Sequence, residues 1–169
     1  MTGATTVREA IEAHLGTHQV GRVIYGAIIG LALVVALEHD PPPAGAVIAT
    51  LVGTAVAVGL AELYSDVVGT EVRTRGRISR GDLAQLLEDV AAVGFGVSFP
   101  VVFFVLAAVG AMELDNAFAI AKWTGLGLIA FYGFCAARLS GSSLHRSLLH
   151  AVAVGLIGAA LIGLKALIH

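Results

Sequence analysis

Five hydrophobic stretches separated by short charged connections run from Val20 to the end of this chain, and a polypeptide patterned that way has the bilayer as its solvent. The stretches are Val20 to Leu37, Ala44 to Tyr64, Val90 to Met112, Ala117 to Ala137 and Ser147 to Ile168. Each is close to the ~20 residues that carry a helix across ~30 Å of hydrocarbon. With no water at that depth, the backbone must satisfy its own hydrogen bonds. The expected fold class is therefore an all-α integral membrane protein with five transmembrane helices. A composition 57% apolar and 13% charged, with mean hydropathy +0.90, leaves no room for a water-soluble domain of any size. The single cysteine, Cys135, falls inside the fourth stretch, so neither a disulfide framework nor a thiolate metal site forms within one chain.

Basic residues settle on the cytoplasmic side of a membrane, and here they sort cleanly. Arg8 and Arg22 precede or open the first span, Arg73, Arg75, Arg77 and Arg80 fill the connection between spans two and three, and Arg138 and Arg146 join spans four and five. The opposite connections, Glu38 to Pro43 and Glu113 to Asn116, carry acids and no Lys or Arg, with Lys122 and Lys165 nearest that face. This predicts the N-terminus inside and the C-terminus outside, in a prokaryotic inner (plasma) membrane. Residues 1–19 are polar and lack the apolar core of a signal peptide, so the first span is expected to stay in the mature protein.

The chain divides into a cytoplasmic amphipathic segment at 1–19 and a five-helix membrane domain at 20–169, with a short helical connection at 70–89. In the first segment Thr6 and Glu9 have capping-box spacing, and Val7, Ile11 and Leu15 recur at four-residue steps. The segment is expected either to lie on the inner interface or to cover the cytoplasmic mouth. His14 and His18 are also four apart, a weak metal signal beside ordinary solvated surface. In the connection, Ser79 and Asp82 repeat the capping-box spacing, so a helix should begin near Arg80 and run into span three, where Pro100 should kink it. The arginines there are expected to set topology, or to meet acidic lipid head groups.

Gly26 and Gly30 have the spacing of close helix contacts, and Gly155, Gly158 and Gly163 punctuate span five. They predict tight packing within the chain or a dimer interface.

Ionisable groups at membrane depth are costly and mark function by default. Glu62 and Asp66 stand out, because their i,i+4 spacing puts two carboxylates on one helix face at the cytoplasmic end of span two. Hard divalent cations take such oxygen ligands. The alternative pairs Glu62 with Arg22 and Asp66 with Arg73, a purely structural use. Asp89, beside Glu88 at the start of span three, either completes an acidic mouth with Glu62 and Asp66 or is a solvated helix end. Lys122 is expected to snorkel toward Asp115 or Glu113. His150, about one turn into span five, is a candidate proton relay or a packing histidine.

These residues carry a resemblance. Arg22 to Leu31, "RVIYGAIIGL", is similar to the first-helix pattern of the vacuolar iron transporter family, an Arg followed by Gly-Ala-Asn-Asp-Gly-Leu. Gly59 to Val72, "GLAELYSDVVGTEV", resembles that family's second-helix run, and the stretch from Gly133, "GFCAARLSGSSLHRSLLHAVAVGLIGAALIGLKAL", resembles its Arg-Leu-Ser/Thr-Gly hinge and glycine-punctuated last helix. The chain departs from the pattern at Ile28 and Ile29, which stand where the family has Asn-Asp, and at Val56-Ala57-Val58, where a methionine is missing. The resemblance implies a homodimer in the lipid bilayer with its pathway between protomers. It also implies a divalent metal such as iron or manganese as substrate, with no permanently bound cofactor and no nucleic-acid partner, and it carries only Glu62 over as a ligand.

The leading expectation is a divalent-cation transporter using Glu62 and Asp66. The competing one is a five-span scaffold or regulatory membrane protein that kept the fold and lost transport. No nucleophile with its base, phosphate-cradling loop or zinc spacing points to an enzyme.

Overall fold

The computed structural model describes residues 17–168 apart from Arg77. The capping box at Thr6 and Glu9, the apolar positions 7, 11 and 15, His14 and the side chain of His18 lie outside the described residues. Among the described residues every regular element is a helix: α1 (Thr17–Leu37), α2 (Ala44–Thr74), α3 (Arg80–Ser98), α4 (Val101–Ala108), α5 (Leu114–Leu139) and α6 (Leu144–Ile168).

Three of these, α1, α2 and α5, are long and apolar enough to cross a membrane; α3 and α4, bent by 48° at their junction, pass the same test only when taken together, as a broken span or a re-entrant loop. In α6 the run Leu144–Ala160 is apolar but shorter. The described residues are thus those of an all-helical membrane protein, with three or four helical units of spanning length among them. The stretch expected as one span, Val90 to Met112, is divided. Pro100 has no N–H to continue the ladder of α3, and the chain restarts there, with Phe103 N–H donating to Pro100 O at 3.1 Å.

The turn before α3 forms as the spacing predicts. Ser79 Oγ accepts from the Asp82 N–H at 3.1 Å while Asp82 Oδ2 accepts from the Ser79 N–H at 3.2 Å, satisfying two otherwise orphaned donors. At the end of α2, Arg75 takes φ +51°, ψ +31°, the left-handed conformation that stops a helix.

Helix α1 is the most enclosed of the three long helices and α2 the least. The most extensive helix contacts are α1 with α3, α5 with α6, and α1 with α5. Glycine makes the first of these possible. A Cβ on Gly30 would lie 2.7 Å from Val97 O, and one on Gly96 would lie 2.6 Å from Ala27 N. Gly26 meets the Val93 carbonyl in the same way, so Gly26 and Gly30 serve contact between α1 and α3 of a single chain.

Two apolar clusters form on other faces of α1. Ala27, Leu31, Val35 and Ile129 pack between α1 and α5. Val34, Val47, Leu51, Phe104, Ala117, Phe118 and Ala121 form the other, where the bend delivers Phe104 edge-on to Phe118 with ring centroids 4.8 Å apart. The opposite face of α2 exposes Val52, Val56, Leu60 and Tyr64, an apolar surface suited to lipid.

Candidate charged site at the arginine-rich end

Arg22 lies in the first turns of α1, on the stretch whose glycines hold it against α3. Glu62 and Asp66 project from successive turns of α2, and Asp89 from the third turn of α3. The three helices bring these four groups together. Arg22 Nη1 donates to Glu62 Oε2, and Arg22 Nη2 donates to Asp66 Oδ2 at 2.7 Å. The same Nη2 stands 3.9 Å from Asp89 Oδ2, beyond hydrogen-bond reach. The fork geometry of guanidinium allows one arginine to serve two carboxylates through separate nitrogens. At the rim, Gln19 Nε2 donates to Glu88 Oε2 at 3.2 Å and ties the start of α1 to α3.

The cluster is partly enclosed. The side chains of Arg22, Glu62 and Asp66 are 25%, 21% and 28% exposed, whereas Asp89 as a residue is 7% exposed. A polar cavity of about 320 Å³ opens beside it, lined by Arg22, Asp66, Thr70, Arg73, Gln85 and Asp89 among others. Formally, three carboxylates face one guanidinium at its centre, an excess of two negative charges when all are ionised.

The sequence-derived candidates fare unequally. Glu62, Asp66 and Asp89 converge, so Asp89 is a buried member of the cluster and not a solvated helix end. The alternative pairing is half right: Glu62 does meet Arg22, but Asp66 meets Arg22 as well and not Arg73, which lines the cavity. Among the described residues no group of three or more His, Cys, Asp or Glu side chains stands ready to hold a metal ion; Glu62 and Asp66 share the guanidinium instead. His150 lies on the exposed face of α6 and is not brought to the cluster.

Lys122 does not reach toward Asp115 or Glu113. Its Nζ donates to both oxygens of Glu38, at 2.6 and 2.8 Å, because the packing of α1 on α5 puts the end of α1 nearer than the start of Lys122's own helix. Arg22 and Glu38 are 16 positions apart on one helical path, about 24 Å. Ion clusters therefore mark both ends of α1 at a separation close to the thickness of bilayer hydrocarbon.

Reasoning from sequence pairs Arg22 with Glu62 alone and misses its place as the hub that also serves Asp66. The available signal was a lone arginine standing two residues inside the apolar run that begins at Val20, a position that needs a counter-charge.

No family model, curated protein or solved structure matches this chain.

Proposed function

We propose that this protein is a membrane transporter for a divalent cation, with Glu62 and Asp66 as the carboxylate site and the polar cavity as its access. The observation that carries the reading is the charge imbalance. Glu62, Asp66 and Asp89 face the Arg22 guanidinium, and the polar cavity beside them adds Asp82 and Arg73; four carboxylates against two guanidinium groups leave an excess of two negative charges, equal to one divalent cation. Such imbalance is expensive near hydrocarbon unless a mobile cation relieves it.

In this reading the chain crosses the membrane five times, α6 being the fifth span, with the arginine-rich end in the cytoplasm as the positive-inside rule requires. The resemblance to vacuolar iron transporters names iron and manganese as the cations to try. It also favours a homodimer, for which the apolar face of α2 and the groove it makes with α3 near Gly59, Leu63, Leu87 and Gly94 are among the exposed apolar surfaces. Ile28 and Ile29 offer no ligands, so coordination rests on the carboxylates at the arginine-rich end.

The experiment is uptake of Fe²⁺ and Mn²⁺ into proteoliposomes, with the Glu62→Gln, Asp66→Asn double variant as control. Uptake lost in the double variant supports the transporter. The absence of uptake by folded wild type under an imposed pH gradient favours the second reading, a scaffold whose cluster only clamps α1 to α2 and α3. The two hydrogen bonds of Arg22 to α2 are the observation on that side.

A further inference from the structure

Arg22 occupies the two carboxylates to which a cation would bind. A divalent ion bound by Glu62 and Asp66 sits within about 2.0–2.6 Å of their oxygens, and a guanidinium hydrogen-bonded to those same oxygens would stand close to it in a partly enclosed site. Like charges at that range repel strongly. The arginine must leave, and it needs another carboxylate, because an unpaired guanidinium is costly at this depth.

Asp89 meets the requirement. It is 7% exposed, lines the cavity, and among the described residues accepts no hydrogen bond. No fully buried side-chain oxygen among the described residues lacks a partner, so the Asp89 carboxylate opens onto the cavity and is free to take one. Its nearest positive charge is Arg22 Nη2 at 3.9 Å, so closing to the 2.7 Å that the same nitrogen now keeps from Asp66 is a shift of about 1.2 Å. That distance is within the reach of a side-chain torsion change, and Asp89 is on α3, the helix that the glycine contacts hold against α1.

We infer that Arg22 is a two-position internal cation: it rests on Glu62 and Asp66 when the site is empty, and swings onto Asp89 when a divalent cation enters. Asp89 is then a positioning residue that never touches the cation. The inference rests on the transporter reading and adds how the site is kept neutral through the cycle. A tethered arginine also makes the site selective, since an ion must compete with a charge already in place, which favours divalent over monovalent ions.

The test is Mn²⁺ binding to the purified protein in detergent, measured by titration calorimetry for wild type, Asp89→Asn, Arg22→Gln and the double variant. Asp89→Asn should weaken binding roughly tenfold, in the usual range of coupling between sites, because the displaced arginine has no acceptor. Arg22→Gln should bind more tightly than wild type, and adding Asp89→Asn to it should then change nothing. The same loss from Asp89→Asn in both backgrounds would make Asp89 a direct ligand and overturn the inference while leaving the transporter reading intact. Absence of Mn²⁺ binding by both wild type and Arg22→Gln would overturn both. If Arg22→Gln does not fold, Arg22→Met replaces it with the same expectations: it too carries no charge that must move, so adding Asp89→Asn should change nothing. Asp89→Glu, which keeps the acceptor, should bind within a few-fold of wild type, and a full Asn-like loss there would also count against the inference.

Discussion

Lys122 on α5 holds both carboxylate oxygens of Glu38 at the end of α1, at 2.6 and 2.8 Å, with the two side chains 19% and 31% exposed. The pair is the counterpart, at the far end of α1, of the arginine cluster. A half-enclosed ion pair contributes more than the ~0–1 kcal/mol of a surface pair and less than a fully buried one.

Lys122→Met and Glu38→Gln should each destabilise the folded protein by about 1–2 kcal/mol, since each leaves its partner's charge uncompensated. The double variant should cost less than the two losses combined. Thermal unfolding in one detergent across the four proteins gives the coupling. A coupling near zero would mean that the pair is solvated and does not fasten α1 to α5.

Phe104 tests what holds a helical core together inside lipid. In water, Phe→Ala in a core costs about 3–5 kcal/mol, part of it the loss of apolar transfer from solvent. In a bilayer the unpacked side chain still meets hydrocarbon, so only packing and cavity terms remain. Phe104→Ala should cost about 1–3 kcal/mol, less than the soluble-protein range. Val102→Ala, at an exposed position on the same helix, should be nearly neutral. Steric-trap or denaturant unfolding in bicelles distinguishes these values.

Asp82 carries a pH signature. Its carboxyl is held below the usual carboxylate range, first by the Ser79 hydroxyl and then by the Ser79 backbone N–H. A depressed folded-state value means that the cap stabilises α3 above the unfolded carboxylate value, near 3.8, and is lost as pH falls through the lower folded value. The start of α3 should therefore gain amide exchange only in strongly acidic buffer, once exchange rates are corrected for pH. Asp82→Asn should remove that dependence, and Ser79→Ala should weaken it while leaving the rest of the bundle protected.

The arginine-rich end and the Glu38–Pro43 turn should lie on opposite sides of the membrane if the basic residues set the orientation. Cys135 is the chain's single cysteine, so Cys135→Ala gives a clean background. Asp40→Cys in that background should react with an impermeant maleimide from outside whole cells, and Gly76→Cys only after lysis. Equal labelling of both from outside would reject the proposed topology.

Much of this architecture was legible because it depends on local pattern. The apolar runs gave the helices, Ser79 and Asp82 located the start of α3, and Pro100 located its break. What escaped was set by contacts between segments distant in sequence. Lys122 has acids near its own helix start at Glu113 and Asp115, yet its partner is Glu38, 84 positions away, because α1 packs on α5. The spacing of Glu62 and Asp66 put them on one face, but that both would share Arg22 depends on how α1, α2 and α3 meet. The angle at Pro100, 48°, likewise depends on where Phe104 finds its partner Phe118.

The close contact of α1 with α3 is the feature on which the charged site depends most, and Gly96 makes it falsifiable. A Cβ there would meet the backbone of α1 at Ala27 N, 2.6 Å away, so neither rotation nor repacking of a side chain relieves the clash. Gly94, two positions earlier on the same helix, has nothing within 4 Å of the same atom. Gly94→Val should therefore leave folding of the single chain nearly unchanged, although its side chain enters the groove offered above to a second copy. Gly96→Val should force the helices apart at a cost of about 3 kcal/mol or more, at the upper end of what overpacking produces. Separation would also carry Arg22 away from Asp89, so Gly96→Val protein that still folds should bind Mn²⁺ as poorly as Asp89→Asn does. If Gly96→Val is as stable as Gly94→Val and binds as wild type does, the glycine contact is not what positions the cluster.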